Sequence, residues 1–398
     1  MSDARSSFDA VVTPARIAAF AAAFAFCVIV FGAFVRLSDA GLSCPDWPTC
    51  YGKAAWPGHA QDIAQANAAF PDRPFETHKA WREQVHRMLA GTLGVLVLAL
   101  ALTAVWKRPL LRAFVVIAAI AAAIGVFAYI HRDFAASAAL SAGAIALPLI
   151  AAARLDRSSA WRVAVAALAV VIFQAMLGMW TVTLLLKPIV VMGHLLGGLL
   201  TFSLLVYAAC RFTARAAPSE AHVALRPWIV GALALLACQI ALGGWTSANY
   251  AALACGADFP QCAGSWWPDP DFREGFVLWR GIGVSYEGGV LDIAARAAIQ
   301  IAHRIGALIV FGHVLATAVL AWRRGLRTHS VLVGVLLCAQ IALGIANVKL
   351  LLPLPVATLH NAGAALLLMS LIALLVRIQM PLAATERRIG EAAVRPAH

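Results

Sequence analysis

The sequence predicts an all-α polytopic membrane protein. The expected architecture is two four-helix bundles related by a pseudo-two-fold axis, eight core transmembrane helices in all, with a hairpin inserted at 111–153. Three observations carry this. The composition is too apolar for a water-facing surface, ten apolar segments are long enough to span a bilayer, and a short motif recurs between the halves of the chain.

Of the 398 residues, 62% are hydrophobic and 13% are charged. Soluble domains carry about 25% charged residues, and half that charge cannot cover a globule of this size. The same numbers exclude a disordered chain, a coiled coil and a collagen. A net charge of +12 would suggest nucleic acid in a soluble protein. Here the basic residues gather in short loops on one side of the segments, so the lipid bilayer is the expected partner and nucleic acid is not.

A spanning helix needs about 20 apolar residues. Segment 16–35 ends at Arg36, and segment 84–106 stops at Lys107-Arg108-Pro109. Segments 111–130 and 134–153 are parted only by His131-Arg132-Asp133. Segment 161–182 follows a polar stretch with Arg154 and Arg157, and 189–209 lies between Lys187-Pro188 and Arg211. Segment 227–246 begins after Arg226, 295–321 ends before Arg323-Arg324, 329–349 lies between Arg327 and Lys349, and 356–377 runs from Pro355 to Arg377.

The basic residues set the orientation. Lys107, Arg108 and Arg112, then Arg154, Arg157 and Arg162, then Arg211, Arg215 and Arg226, then Arg323, Arg324 and Arg327 occupy one set of connections. The opposite short turns hold only Arg132, Lys187 or Lys349. The basic set is cytoplasmic, which puts both termini inside, beside Arg5, Arg16, Arg387 and Arg388. Trp106, Trp161, Trp228 and Trp322 form an aromatic belt at the inner interface. The expected location is a bacterial cytoplasmic membrane, with the long loops 36–83 and 247–294 on the outer side. No cleaved leader is expected, since Cys27 follows Phe26 within an apolar run and the N-terminus is rich in Asp.

Of eight cysteines, Cys27, Cys210, Cys238 and Cys338 lie in or beside apolar segments, and Cys44/Cys50 and Cys255/Cys262 form two close pairs in the outer loops. An oxidising outer space favours Cys44–Cys50 and Cys255–Cys262 disulfides. The competing reading is a metal site, which these spacings and the lack of a repeated His partner serve poorly.

Gln174-Ala-Met-Leu-Gly178, Gln239-Ile-Ala-Leu-Gly243 and Gln340-Ile-Ala-Leu-Gly344 share Gln-x-x-x-Gly. In the first segment Val28…Gly32 holds the corresponding place without the Gln. Each such outward-running segment is followed by an inward-running one with a histidine near its outer end: His86, His194, His303 and His360. His86-Arg87 answers His303-Arg304 at an offset of 217, and Cys44 answers Cys255 at 211. The halves are 1–215 and 216–398, and the hairpin 111–153 has no counterpart.

A lone histidine in a span is usually a packed residue. Four at equivalent repeat positions, two per half, are the geometry for bis-imidazole heme ligation between facing helices. Gly197, Gly306 and Gly363 stand three residues after their histidines, and Ala90-Gly91 after His86. Missing side chains there suit either a flat macrocycle or tight helix packing. Arg87 and Arg304 are candidates for pairing heme propionates, with snorkelling to the interface as the alternative. His59, His78, His131, His222, His313, His329 and His398 lack repeat partners and read as loop or solvated residues.

The repeat breaks at one place. Glu83 stands three residues before His86, and Gln300 three before His303. Positions i and i+3 share a helix face. The first half therefore sets a carboxyl beside its histidine and the second a neutral amide. A reactive first half and an inert second half account for this; so does an interfacial carboxylate pairing Arg82 or Arg87.

At these residues the sequence resembles the heme A synthase family. The matching strings are Val35-Arg-Leu-Ser38, Gly41-Leu-Ser-Cys-Pro-Asp-Trp-Pro-Thr-Cys50, Glu83-x-x-His86-Arg87, Gln174-x-x-Leu-Gly-Met-Trp-Thr-Val-Thr183, Gly193-His-Leu195, His303-Arg304 and Leu359-His360. That family has eight spans, so the hairpin is a departure from it. The resemblance implies oxidation of a ring methyl of heme O to a formyl group, giving heme A for terminal oxidases. It implies a substrate site with Glu83 catalytic and His86 and His194 as iron ligands, and a resident heme b on His303 and His360. Heme O synthase, terminal oxidase assembly factors, an electron donor and a second copy of the chain are candidate partners. A diheme electron-transfer cytochrome and a heme transporter or chaperone are the alternative functions.

Overall fold

The computed structural model describes residues 13–157, 159–213 and 219–379. Arg5, Arg215, Arg387, Arg388 and His398 lie outside the described residues. Ten helices are long and apolar enough to cross a membrane. They are α1 (Pro14–Leu37), α2 (Thr77–Val105), α3 (Pro109–Ile130), α4 (Phe134–Ala153), α5 (Ala160–Thr183), α6 (Pro188–Thr213), α7 (Arg226–Ala248), α8 (Ile293–Arg323), α9 (Arg327–Lys349) and α10 (Leu354–Arg377).

Local chemistry explains the ends. Thr13, Asp133, Ser159 and Asp292 each accept a backbone N–H of the first turn of α1, α4, α5 and α8. Proline opens α1, α3 and α7, where its missing N–H costs nothing. The short His131-Arg132-Asp133 turn between α3 and α4 closes with Arg132 at φ 63°. The turns joining α5 to α6 and α9 to α10 use the same device: Leu185 and Leu186 at φ 51° and 59°, Leu351 and Leu352 at φ 58° and 61°. Left-handed leucine is uncommon, and its recurrence marks one hairpin design used twice.

One boundary departs from the sequence expectation. Segment 84–106 becomes a helix beginning at Thr77, so Glu83 and Gln84 are helical and buried rather than at a loop's edge. Their polarity hides the helix from a hydropathy reading, because they face the disulfide loop and not lipid.

Helices α1, α2, α5 and α6 pack in a ring, each against the next, and α7, α8, α9 and α10 do the same. The rings meet through α6 on α7, α10 on α1 and α6 on α10. Small residues permit the close approach: Ala18, Ala21 and Ala25 of α1 are fully buried in the cluster that holds Phe202 and Leu205 of α6. Helices α3 and α4 pair with each other, α3 against α2 and α4 against α5. Ile117, Ile120, Ile124 and Phe127 of α3 are exposed, as lipid contact requires.

The long loops are folded. The first contains the helix Ala60–Ala69 and anchors Tyr51 edge-on against Phe70 and Phe75. The second crosses to the other half. Tyr286 N–H donates to Leu185 O at 3.0 Å, and Arg73 pairs with Glu287 at 3.3 Å. Lys187 is 1% exposed, lies 3.6 Å over the Trp279 ring and donates to Gly281 O. Both loop pairs, Cys44–Cys50 and Cys255–Cys262, are disulfides. The metal reading of these cysteines falls, since no group of three or more His, Cys, Asp or Glu converges among the described residues.

Candidate functional site

A cavity of about 2090 Å³ runs through both rings, lined mostly by apolar side chains. Sites for drug-sized ligands measure roughly 300–1,000 Å³, so this volume suits more than one bulky planar ligand. His86, His194, His303 and His360 all line it, together with Glu83, Gln300, Arg87 and Arg304. His86 and His194 lie within electrostatic reach of each other, as do His303 and His360.

Each histidine is seated by the helix that precedes its own. A Cβ on Gly178, Gly243 or Gly344 would stand 3.1, 3.2 or 3.1 Å from Cε1 of His194, His303 or His360. A Cβ on Gly32 would stand 2.6 Å from Cε1 of His86. The glycine of Gln-x-x-x-Gly is therefore where the imidazole lies across the neighbouring backbone. The glutamine fills the other notch. The Gln174, Gln239 and Gln340 carboxamide oxygens occupy the space where Gly197, Gly306 and Gly363 lack a side chain. Gln174 Nε2 donates to His194 O at 2.6 Å and lies 3.0 Å from Nδ1; Gln239 does the same to His303 at 2.9 and 3.0 Å. Gln340 Nε2 lies 3.4 Å from His360 Nε2. Of the two uses the sequence left open for these three glycines, the structure shows helix packing. At the first hairpin both partners change together, Val28 for Gln and Leu89 for Gly.

The two arginines hold the disulfide loops. Arg87 donates to Asp46 O at 2.7 Å and Thr49 O at 2.6 Å; Arg304 donates to Asp258 O at 2.9 Å and Gln261 O at 2.8 Å. Arg87 also pairs with Glu83 Oε1 at 2.5 Å. Arg82, the other partner the sequence offered for Glu83, instead lies 5.1 Å over the Phe34 ring.

Glu83 is 5% exposed, and its second oxygen is held too. Oε2 accepts Cys44 N–H at 2.9 Å and lies 3.0 Å from Ser43 Oγ. Gln300 is equally buried, but its Oε1 has no partner. The disulfide loop thus builds a socket for a carboxylate in one half only.

The cavity is apolar, and the buried His86 and His360 each keep a ring Nδ1 without a partner. One such nitrogen lies in each proposed pair, and an unpartnered imidazole in an apolar cavity fits a heme iron.

Sequence reasoning missed Ser43, whose signal was its place one residue before Cys44, where Ala254 precedes Cys255. It missed Arg36, which donates to Ser247 O at 2.8 Å and lies 4.5 Å over the Tyr250 ring, tying α1 to the end of α7. It gave His313 no partner. That residue is half-buried within α8, stacked on Trp228 at 5.4 Å with Nε2 3.0 Å from Trp228 O.

Fold and site together define a polytopic helical membrane protein with four histidines seated on repeated hairpins around one internal cavity. The model of the COX15-CtaA family, cytochrome oxidase assembly proteins, matches residues 15–128 and 120–372, and the chain belongs to that family. It is 40% identical over 355 residues to a heme A synthase of Shewanella oneidensis, covering 88% of this chain and 92% of that one. Heme A synthases of Caulobacter vibrioides and Rhizorhabdus wittichii are each 27% identical, over 90% and 88% of this chain and 94% and 90% of theirs.

Proposed function

We propose that the chain is a heme A synthase, an oxidoreductase that converts a ring methyl of heme O to a formyl group inside the membrane, for terminal oxidase biogenesis. The observation that carries the reading is the contrast between Glu83 and Gln300. Two histidine hairpins match in their glycine seats and arginine tethers, and only one holds a carboxylate.

The halves 1–215 and 216–398 are two pseudo-two-fold related bundles, a reading supported by the matching rings and turns. The first is the substrate half. His86 and His194 bind and orient the iron of heme O, and the apolar lining keeps water from the reacting edge. Glu83, fixed through Oε1 by Arg87, takes up a proton at Oε2 as the methyl is oxidised. In the second half His303 and His360 hold heme b, which supplies one-electron transfer when bound. Arg87 and Arg304 are the propionate candidates, each with its main task in tethering a loop. The protein lies in a bacterial cytoplasmic membrane with both termini inside and the disulfide loops outside, which the basic inner connections support. Its partners are an electron donor, a heme O synthase, terminal oxidase assembly factors and a second copy of the chain.

Co-expression with a source of heme O, followed by chromatography of extracted hemes, tests the reading. Heme A or hydroxylated heme O is the expected product. A diheme cytochrome or a heme carrier would return the hemes unchanged.

A further inference from the structure

Ser43 and Ala254 occupy one position in two copies of the same turn. Each precedes its disulfide cysteine, and each N–H donates three residues back, Ser43 to Ala40 O at 3.4 Å and Ala254 to Ala251 O at 3.1 Å. Only the first copy carries a hydroxyl, and only that copy faces a carboxylate.

The Ser43 hydroxyl lies 3.0 Å from Glu83 Oε2 and 2.7 Å from Ala40 O. A hydroxyl has one proton and cannot donate to both, yet it can also accept. With Glu83 ionised, Ser43 donates to Oε2. With Glu83 protonated, Glu83 donates to Ser43 Oγ and the hydroxyl turns to Ala40 O. Cys44 N–H stays on Oε2 and Arg87 stays on Oε1 in both arrangements. Neither protonation state leaves a stranded hydrogen-bonding group, which in a buried site would be costly. Gln300 faces no such switch, and its Oε1 is buried without a partner.

We propose that Ser43 is a positioning residue for the oxidation, a rotating hydroxyl that keeps Glu83 hydrogen-bonded in both its ionised and protonated forms. This rests on the reading of Glu83 as the proton acceptor. The proton enters and leaves at Oε2, and Ser43 turns without gaining or losing one. Ser43 is not among the residues lining the cavity, so it acts on the substrate only through Glu83.

The test uses the full chain in membranes, with heme O supplied and heme A formation followed. Ser43→Ala and Ser43→Val, the second isosteric with threonine, should lower turnover about ten- to a hundredfold, as loss of a hydrogen bond to a charged group does. The apparent affinity for heme O should stay unchanged. Ser43→Thr, which keeps the hydroxyl, should restore turnover. The Cys44–Cys50 disulfide, read by mass spectrometry, reports that the loop is folded in each variant. Wild-type turnover in Ser43→Val, or equal losses in Ser43→Thr and Ser43→Val, would overturn the proposal. Glu83→Gln, measured alongside, separates the two readings: wild-type turnover there defeats the role of Glu83 itself, whereas loss there with an active Ser43→Val defeats only the role of Ser43.

Discussion

Gln174 and Gly197 interlock: the carboxamide oxygen of one fills the space left by the missing side chain of the other, and the carboxamide nitrogen bonds the backbone of His194 at 2.6 Å. Gln239 with Gly306 repeats the joint, and Gln340 fills the Gly363 notch with its nitrogen 3.4 Å from the His360 ring. A histidine seated in this way has its ring laid across a glycine and its backbone tied to the neighbouring helix. Its direction into the cavity is set before any ligand arrives.

Adding one methyl group at the joint should therefore move a histidine. Gly306→Ala forces the Gln239 carboxamide out, an overpacking change of about 1–3 kcal/mol. The chain should remain in the membrane while heme retained on His303 falls, as read from the absorption spectrum of the purified protein. A spectrum like wild type would show that the joint does not set the ring.

Replacing His303 or His360 by Ala should remove the low-spin bis-histidine spectrum of a heme b that otherwise survives purification. In the proposed heme b site each ring is one of two ligands, so neither single variant should keep the signal. An unchanged spectrum in both would show that the heme is held elsewhere.

The loops should carry their disulfides in the isolated protein. Alkylation without reductant, followed by mass spectrometry, should leave Cys44, Cys50, Cys255 and Cys262 unmodified and label free thiols such as Cys27, Cys238 and Cys338. Reduction of Cys44–Cys50 should lower activity more than reduction of Cys255–Cys262, because the Cys44 N–H is a donor to Glu83.

The first loop also has a pH signature. Burial pushes the Tyr51 phenol up to about 12, and the neutral phenol donates to Arg73 O at 3.0 Å. A raised value means the folded loop keeps the proton that an unfolded one releases near pH 10. The stabilisation is complete below about pH 10 and is lost as pH rises toward 12. Tyrosinate absorbance, compared with Tyr51→Phe, should show this late step; titration of Tyr51 near 10 would mean an undocked loop.

The spans were legible because lipid demands long apolar runs between charged or proline boundaries, and even the close pair α3–α4 separated correctly at His131-Arg132-Asp133. The histidine hairpins were legible because the Gln-x-x-x-Gly string and its spacing to a histidine occur more than once in the sequence. The first two turns of α2 were not, since Glu83 and Gln84 are polar residues facing a folded loop, and hydropathy cannot tell that from water. The purpose of Gly197, Gly306 and Gly363 stayed open for a related reason. A missing side chain says that something comes close, and only the packing says that it is a glutamine. Ser43 escaped notice because its meaning lies in a contact across forty residues of chain with Glu83.

If Glu83 distinguishes a reactive half from an inert one, Glu83→Gln should abolish that difference. Glutamine keeps the size and much of the hydrogen bonding but cannot accept the proton. Heme content and heme A formation should be measured on the same membranes. The variant should be a folded protein that retains heme b, with heme A formation reduced about 10²–10⁴-fold or halted at a hydroxylated intermediate. Heme A made at the wild-type rate would contradict this distinction and leave Glu83 as no more than the partner that holds Arg87 and the disulfide loop in place.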